Sequence, residues 1–386
     1  MSFNPSITDV QKYLKADFQP IHEDLFWEAA ESKTPEKWQE ELQSSIRDRL
    51  KDFDPIKQGW KLIVEKACIT VSDIRLMLQQ YPSEHREQKK QYVVASANKA
   101  NYLVNVLLGR ISTKWYPDVE HPAFDEDDEA YNNFLIQSLH ELMNSNPNTA
   151  MYNRFFFASK LKCVNDHGRL PKNIELQGKE NLPFMEHIQQ WNDKYGFILV
   201  FGDSPLDWDT KLSKMAIEKA NKCLSHNSPQ CSTKFITCGT AMRPFGTTIV
   251  ESFELKQYLL SHGVSEKNIL IDTCSEHTNT NIWNAACLAF EAGMPIEKKM
   301  IAFMLGEQFA FVAGNKDGGM RQRTKEEVCP DMYDYLTIEK GDIDGSVVVG
   351  FKESFKDCPK WRLQWKNHVG KEIEVEDILE EGFEYL

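Results

Sequence analysis

Gly263–Cys287 reads GVSEKNILIDTCSEHTNTNIWNAAC, and this run decides the fold. Gly263 suits the end of a helix, because glycine takes a left-handed backbone without strain. Asn268 to Ile271 is a short apolar run closed by Asp272, the signature of a parallel strand buried on both faces. Ser275-Glu276-His277-Thr278-Asn279-Thr280-Asn281 follows, dense in groups that cap helices and bind anions. A new helix opens behind it. In an open α/β sheet, the turn beyond a strand's carboxyl end is where ligands bind.

Working outward, the same alternation recurs. Phe197–Phe201, Phe235–Thr237, Ile269–Ile271, Met300–Leu305 and Val347–Phe351 read as strands. Lys211–Leu224, Thr248–His262 and Thr280–Ala292 read as helices, the last stopped by Gly293 and Pro295. Strand and helix alternating in this way call for an α/β fold with a doubly wound parallel sheet.

Upstream the pattern is helical. Thr34-Pro35-Glu36 reads as a helix start, and Trp38, Leu42, Ile46 and Leu50 behind it form one apolar stripe. Tyr131, Phe134, Leu135, Ser138, Leu139, Leu142 and Met143 fall on one face of a later helix. The acidic cluster Asp125–Glu129 before it lacks the spacing of a calcium loop and suits a helix N-terminus. Gly168, Pro171, Gly178 and Pro183 then punctuate a polar stretch. The expected organisation is an all-α helical domain over 1–165, a linker over 166–195 and an α/β domain over 196–386.

The chain has 386 residues, a net charge of −13 and a pI near 5.4. Such an acidic balance argues against a nucleic-acid partner, which needs a basic face. Lys211, Lys214, Lys219 and Lys222 read as a solvated helix face among acids. Nine cysteines contain no Cys-x-x-Cys pair, which fits a reducing compartment better than a disulfide scaffold. The N-terminus lacks the apolar core of a signal peptide, and no run reaches the roughly 20 apolar residues of a membrane span. A cytoplasmic location is expected.

Three strand ends carry small or polar residues: Gly202-Asp203-Ser204, Cys238-Gly239-Thr240 and the Asp272–Asn281 turn. Parallel strands bring such ends to one edge, where glycines admit a ligand and helix N-termini attract anions. Neither a dinucleotide fingerprint nor a P-loop is present.

These residues resemble the YdcF/SanA/ElyC-like family, which has a Rossmann-like domain. The likeness covers about residues 195–310. Its elements are the strand and glycine turn in ILVFGD, Cys238-Gly239-Thr240 at the second strand, and Glu251 twelve residues before Gly263-Val264. Asp272 closes the third strand, and Ser275, Thr278 and Asn281 keep the spacing of the last motif. Thr280 stands where the family has glutamate, and Gly306–Phe311 shows no counterpart of its later histidine and arginine. The resemblance implies a Rossmann-like fold and a nucleotide-like or phosphate-bearing ligand, S-adenosylmethionine among them. Asp203, Asp272 and His277 lack a recognisable metal-ligand spacing, so no metal is expected.

The ligand-binding candidates are therefore Gly202, Asp203, Ser204, Gly239, Thr240, Glu251, Asp272, Ser275, Thr278 and Asn281. Glu251 and His277 are the candidate acid and base, the histidine because its pKa lies near neutral. Cys238 and Cys274 stand at strand ends near helix starts and form the nucleophile alternative, set against a buried structural role. Trp208 and Trp283 either stack on a base or pack. The acidic Glu372–Leu386 is similar to the C-terminal signals of type IV-secreted effectors. Two readings follow. One is a small-molecule binding domain that transfers or hydrolyses a group. The other is a non-enzymatic binding or effector protein, delivered into a host cell, with a degenerate site and a protein partner on the helical domain.

Overall fold

The computed structural model describes residues 5–18, 21, 34–108, 128–165, 169–203, 210–226, 233–241, 247–314, 319–329, 331–357, 364–365, 373 and 378. The chain divides into two compact units, Met1–Gly168 with Gln364–Leu386, and Arg169–Leu363. Ser204, Trp208 and nearly all of the acidic C-terminal stretch lie outside the described residues.

The described elements of the first unit are the helices α1 (Ile7–Asp17), α2 (Lys37–Leu50), α3 (Pro55–Gln58), α4 (Trp60–Ala67), α5 (Val71–Leu78), α6 (Ser83–Leu103), α7 (Glu129–Met143) and α8 (Ala150–Asn165), shorter helical turns, and the two-residue strand Gln364–Trp365. The start of α2 falls two residues later than Thr34-Pro35 suggests. Glu36 is its N-cap, and its backbone N–H donates to Gln39 Oε1 at 2.8 Å, so the proline precedes the helix instead of opening it. Trp38, Leu42, Ile46 and Leu50 are buried along one stripe. All seven apolar-face residues of α7 from Tyr131 to Met143 are buried too, and Asp128 caps that helix by accepting from the Tyr131 N–H at 2.9 Å. Asp73 lies fully buried between Arg49 Nη2 at 2.6 Å and Arg154 Nη2 at 3.4 Å. Burial alone would push its carboxyl up. The two guanidiniums, with hydrogen bonds from Thr70 and Ser45, outweigh that and hold it below the ordinary value.

The second unit is a mixed α/β structure. Residues 169–185, expected as a linker, form the 17-residue helix α9 (Arg169–Met185). Pro171 falls in its first turn, where an N–H has no helical partner. Asn173, Gln177 and Asn181 then recur every four residues on one face, which packs on β3. The unit continues with β1 (Tyr195–Phe201), α10 (Lys214–Leu224), β2 (Phe235–Cys238), α11 (Glu251–Ser261), β3 (Ile269–Asp272), α12 (Thr278–Glu291), β4 (Lys299–Phe303), α13 (Gly306–Ala313), α14 (Met320–Glu327), β5 (Val328–Cys329), β6 (Leu336–Lys340) and β7 (Ser346–Phe351).

Six strands join in the order β3-β2-β1-β4-β7-β6. The first four run parallel, but β7 is antiparallel to both β4 and β6. The expected all-parallel sheet is thus corrected. The link from Lys340 to Ser346 is too short for a crossover helix and makes a hairpin, with Gly345 at φ +69° in its turn. Register places Phe201, Cys238 and Asp272 side by side at the ends of β1, β2 and β3.

One face of the sheet packs Ile198, Val200, Phe235, Ile269 and Ile271 against Ala216, Ala220 and Cys223 of α10 and Leu255 and Leu259 of α11. The other face meets α12. Cys238 Sγ donates to the Asn281 carbonyl there, whereas Thr237, one residue earlier, donates to the Ser252 carbonyl of α11. Gly263 ends α11 at φ +83°. Its N–H donates to the Leu260 carbonyl and that of Val264 to the Leu259 carbonyl, the paired closure that lets β3 begin five residues on.

The outer edge of β3 is closed by side-chain amides. Ile271 N–H donates to Asn181 Oδ1 at 2.7 Å, and Asn181 Nδ2 donates to the Ile271 carbonyl at 3.0 Å. Thr273 N–H donates to Gln177 Oε1 at 3.0 Å, and Asn173 Nδ2 donates to the Thr273 carbonyl at 3.2 Å. Helix α9 thereby answers backbone groups that a further strand would otherwise pair.

Candidate functional site

The carboxyl ends of β1 and β2 are built around one buried carboxylate. Glu251 opens α11 and is only 5 % exposed. Its Oε1 accepts from the Asp203 N–H at 3.0 Å. Both neighbouring glycines are required by it. A Cβ on Gly202 would lie 2.5 Å from Glu251 Oε2, and one on Gly239, at φ +140°, would lie 3.0 Å from Glu251 Cβ. The sequence pattern places glycines at these strand ends to admit a ligand, but the group they admit is the chain's own carboxylate.

Lys219 completes this cluster. It is 1 % exposed, and its Nζ donates to the Gly202 carbonyl at 3.2 Å and lies 3.7 Å from Asp203 Oδ1. The reading of Lys219 as a solvated lysine is therefore corrected. It lies on the inward stripe of α10 between Ala216 and Cys223, a periodicity visible in the sequence. Burial pushes its ammonium below the ordinary value, and Asp203 and Glu251 pull it part of the way back. Lys211 instead pairs with Glu254 at 3.2 Å, and Lys222 donates to the Asp344 carbonyl. Asp203 is the accessible member, 38 % exposed at its side chain. Its Oδ2 accepts from Ser213 Oγ at 3.1 Å, and Ser213 in turn caps α10.

The Asp272–Asn281 turn lies alongside. Gly239 N–H donates to the Asp272 carbonyl at 3.1 Å, and Thr240 N–H donates to the Ser275 carbonyl at 2.9 Å. Asp272 itself is 1 % exposed. Its Oδ1 accepts from the Cys274 N–H at 3.0 Å, its Oδ2 from Ser275 Oγ, and Asn284 Nδ2 reaches Oδ1 at 3.4 Å. The carboxylate thus organises its own turn. Thr240 Oγ1 accepts from Asn173 Nδ2 at 2.7 Å, again within the chain.

His277 is the N-cap of α12 and is buried. Thr280 does the capping work expected of Ser275, Thr278 or Asn281. Its Oγ1 accepts from the N–H groups of Glu276 at 3.0 Å and His277 at 2.9 Å. An oxygen at this third helical position reaching back to the N-cap is the part a glutamate plays in a capping box. Thr278 Oγ1 accepts from Gln308 Nε2 at 3.3 Å, and Asn281 is buried.

Cys238 is fully buried, and burial with the Asp272 charge pushes its thiol well above the ordinary range, the reverse of a nucleophile. Trp283 is fully buried against Tyr335 and Phe355, so it packs. Among the described residues, no group of three or more His, Cys, Asp or Glu gathers as metal ligands, and no helix is long and apolar enough to cross a membrane.

The structure therefore brings Gly202, Asp203, Gly239 and Glu251 together with Lys219, and places Thr240, Asp272 and Ser275 against them. Thr278 and Asn281 lie on α12, where Thr278 Oγ1 accepts from Gln308 and the Asn281 carbonyl accepts from Cys238 Sγ. Set against family models, curated proteins and solved structures, the chain matches none.

Proposed function

We propose that the second unit is a Rossmann-like, doubly wound domain of YdcF-like type that binds a nucleotide-like small molecule over the carboxyl ends of β1 and β2. The first unit is, in this reading, an all-α helical domain fused to it. The observation that carries the proposal is the Asp203–Glu251–Lys219 cluster. It places one accessible carboxylate, backed by a buried carboxylate and a buried ammonium, at the end of a central strand. In the order β3-β2-β1-β4 the connections change direction between β1 and β4, so β1 borders the crevice at which open α/β sheets take ligands. Two carboxylates against one ammonium favour a ligand with hydroxyls and positive charge. That ranks S-adenosylmethionine above a nucleoside triphosphate. Asp203 would accept from ribose hydroxyls, while Glu251 and Lys219 position it.

A second reading has its own support. Asp272, Ser275, Thr240 and Thr280 are engaged within the chain. This favours a binding or effector protein, without turnover, whose partner docks on the helices of residues 1–165, in the cytoplasm or after delivery into a host cell.

The test is calorimetric titration of the intact protein with S-adenosylmethionine, ATP and NAD. The expected result is binding of S-adenosylmethionine, weakened at least about tenfold in Asp203→Ala, or about 1.4 kcal/mol, with amide exchange in β1 unchanged. Absence of binding by all three to folded protein overturns the proposal.

A further inference from the structure

Helices α7 and α8 of the first unit border a separate, half-open pocket of about 230 Å³, lined among others by Ser138, Glu141, Leu142, Phe156, Phe157 and Lys160. Its polar groups are unusual in three respects. Ser138 is 2 % exposed, and its Oγ makes no hydrogen bond, although a buried hydroxyl without a partner is costly. Lys160 is 7 % exposed, and its Nζ lies 2.6 Å from Glu141 Oε2 and 5.5 Å from the centre of the Phe134 ring. Glu141 is half exposed and so marks the mouth, with the lysine and serine deeper. Leu142 and Phe157, both buried, and the partly buried Phe156 supply the apolar part of the wall, and Ser145 and Asn153 complete the lining.

We propose that this cavity binds a small zwitterion with an apolar side chain, of the class of an aliphatic α-amino acid. The ligand's carboxylate accepts from Lys160 Nζ and from Ser138 Oγ–H, giving that hydroxyl its missing acceptor. The ligand's ammonium replaces Lys160 as the partner of Glu141. Each charge of the existing ion pair keeps an opposite charge, so no buried charge is left uncompensated, as a lone carboxylate or a lone amine would leave one. The aliphatic side chain lies against Leu142, Phe156 and Phe157. The site is built wholly from residues of the first unit and shares none with the one at the sheet edge.

The probe is L-leucine, titrated calorimetrically into the intact protein, with 4-methylpentanoate (no amine) and 3-methylbutylamine (no carboxylate) as controls. Leucine is expected to bind, and each control to bind at least about tenfold more weakly, about 1.4 kcal/mol. Ser138→Ala and Glu141→Gln, the second at the half-exposed mouth, are each expected to weaken leucine at least fivefold by order of magnitude while retaining the native melting transition. No leucine binding to folded protein overturns the proposal. So does equal binding of either control, or leucine affinity unchanged in both variants, which would place binding elsewhere.

Discussion

Replacing Gly202 by alanine tests whether the glycines at the sheet edge serve the Glu251 carboxylate. The new methyl would sit 2.5 Å from Glu251 Oε2, 2.8 Å from its Cδ and 3.2 Å from the Cys238 carbonyl oxygen. The first distance is about 1 Å short of a favourable contact of about 3.5 Å, so the carboxylate must withdraw. Withdrawal breaks its hydrogen bond from the Asp203 N–H, and a bond to a charged group is worth about 1.5–3 kcal/mol. Gly202→Ala should therefore cost about 2–3 kcal/mol. Glu251→Ala alone should cost about 2 kcal/mol, through the Asp203 N–H left unpaired and the buried Lys219 deprived of one neighbour. The double variant is the decisive one. With the carboxylate gone, the methyl introduced at position 202 fills part of the space it leaves, and the pair should cost little more than Glu251→Ala. That amounts to a favourable coupling of about 2 kcal/mol. Native-state hydrogen exchange at Ile198, Leu199 and Val200 in β1 reads all four proteins in the same local unit. Costs that add to within about 0.5 kcal/mol would refute the argument, because the glycine would then be needed for something other than the carboxylate.

Other perturbations separate structural from binding roles. Asn181→Ala leaves the N–H and carbonyl of Ile271 without their partners and should raise exchange at the Ile271 amide, at a cost of about 2–4 kcal/mol; Gln177→Ala, at a half-buried site, should cost about 1 kcal/mol. Lys219→Met removes an ammonium that folding must desolvate. Its depressed pKa means that the burial cost is fully present below the folded pKa and fades as pH rises from there towards the ordinary lysine value, so the variant should equal or exceed wild type in stability at low pH, with the gap closing in alkali, while ligand affinity falls. Asp73 has the opposite sign: a carboxyl held below 3.8 supplies stability that is complete above the unfolded pKa and is lost as pH falls through the folded one. Asp73→Asn should be about 3–5 kcal/mol less stable near neutrality, and urea titrations should show that deficit shrinking below about pH 4.

The strands that carry the site were legible because each is a short, mostly apolar run closed by glycine or aspartate, as in ILVFGD and ILID. The helices of the first unit were legible from stripes such as Trp38-Leu42-Ile46-Leu50. Helix α9 was not, because Pro171, Gly178 and Pro183 are strong breaker signals, whereas its inward face is made of amides that a hydrophobic periodicity does not count. The antiparallel pair β6–β7 was hidden for a related reason: apolar content identifies a strand but not its direction, which only the short glycine-bearing link from Gly341 to Gly345 reveals. At the site, Asp203 and Glu251 were found by position, and Lys219 was missed because a lysine among acids reads as solvated. The roles of Asp272, Ser275 and Thr280 could not be separated in sequence. Bonding one's own turn and bonding a ligand call for the same residue types, and only the distances distinguish them.

The amides of α9 bear on how this chain behaves in company. An open strand end is a template on which a second molecule can lay its own strand, and repeated addition gives fibres or precipitate. Here the template is occupied from within, by side chains whose geometry imitates a neighbouring backbone at two successive sites. A fragment beginning after Met185 would keep the sheet but lose the three amides. It should then self-associate where the longer fragment beginning at Arg169 remains monodisperse. On this argument the second unit would owe its monodispersity to a helix that adds no strand to the sheet but pairs its edge.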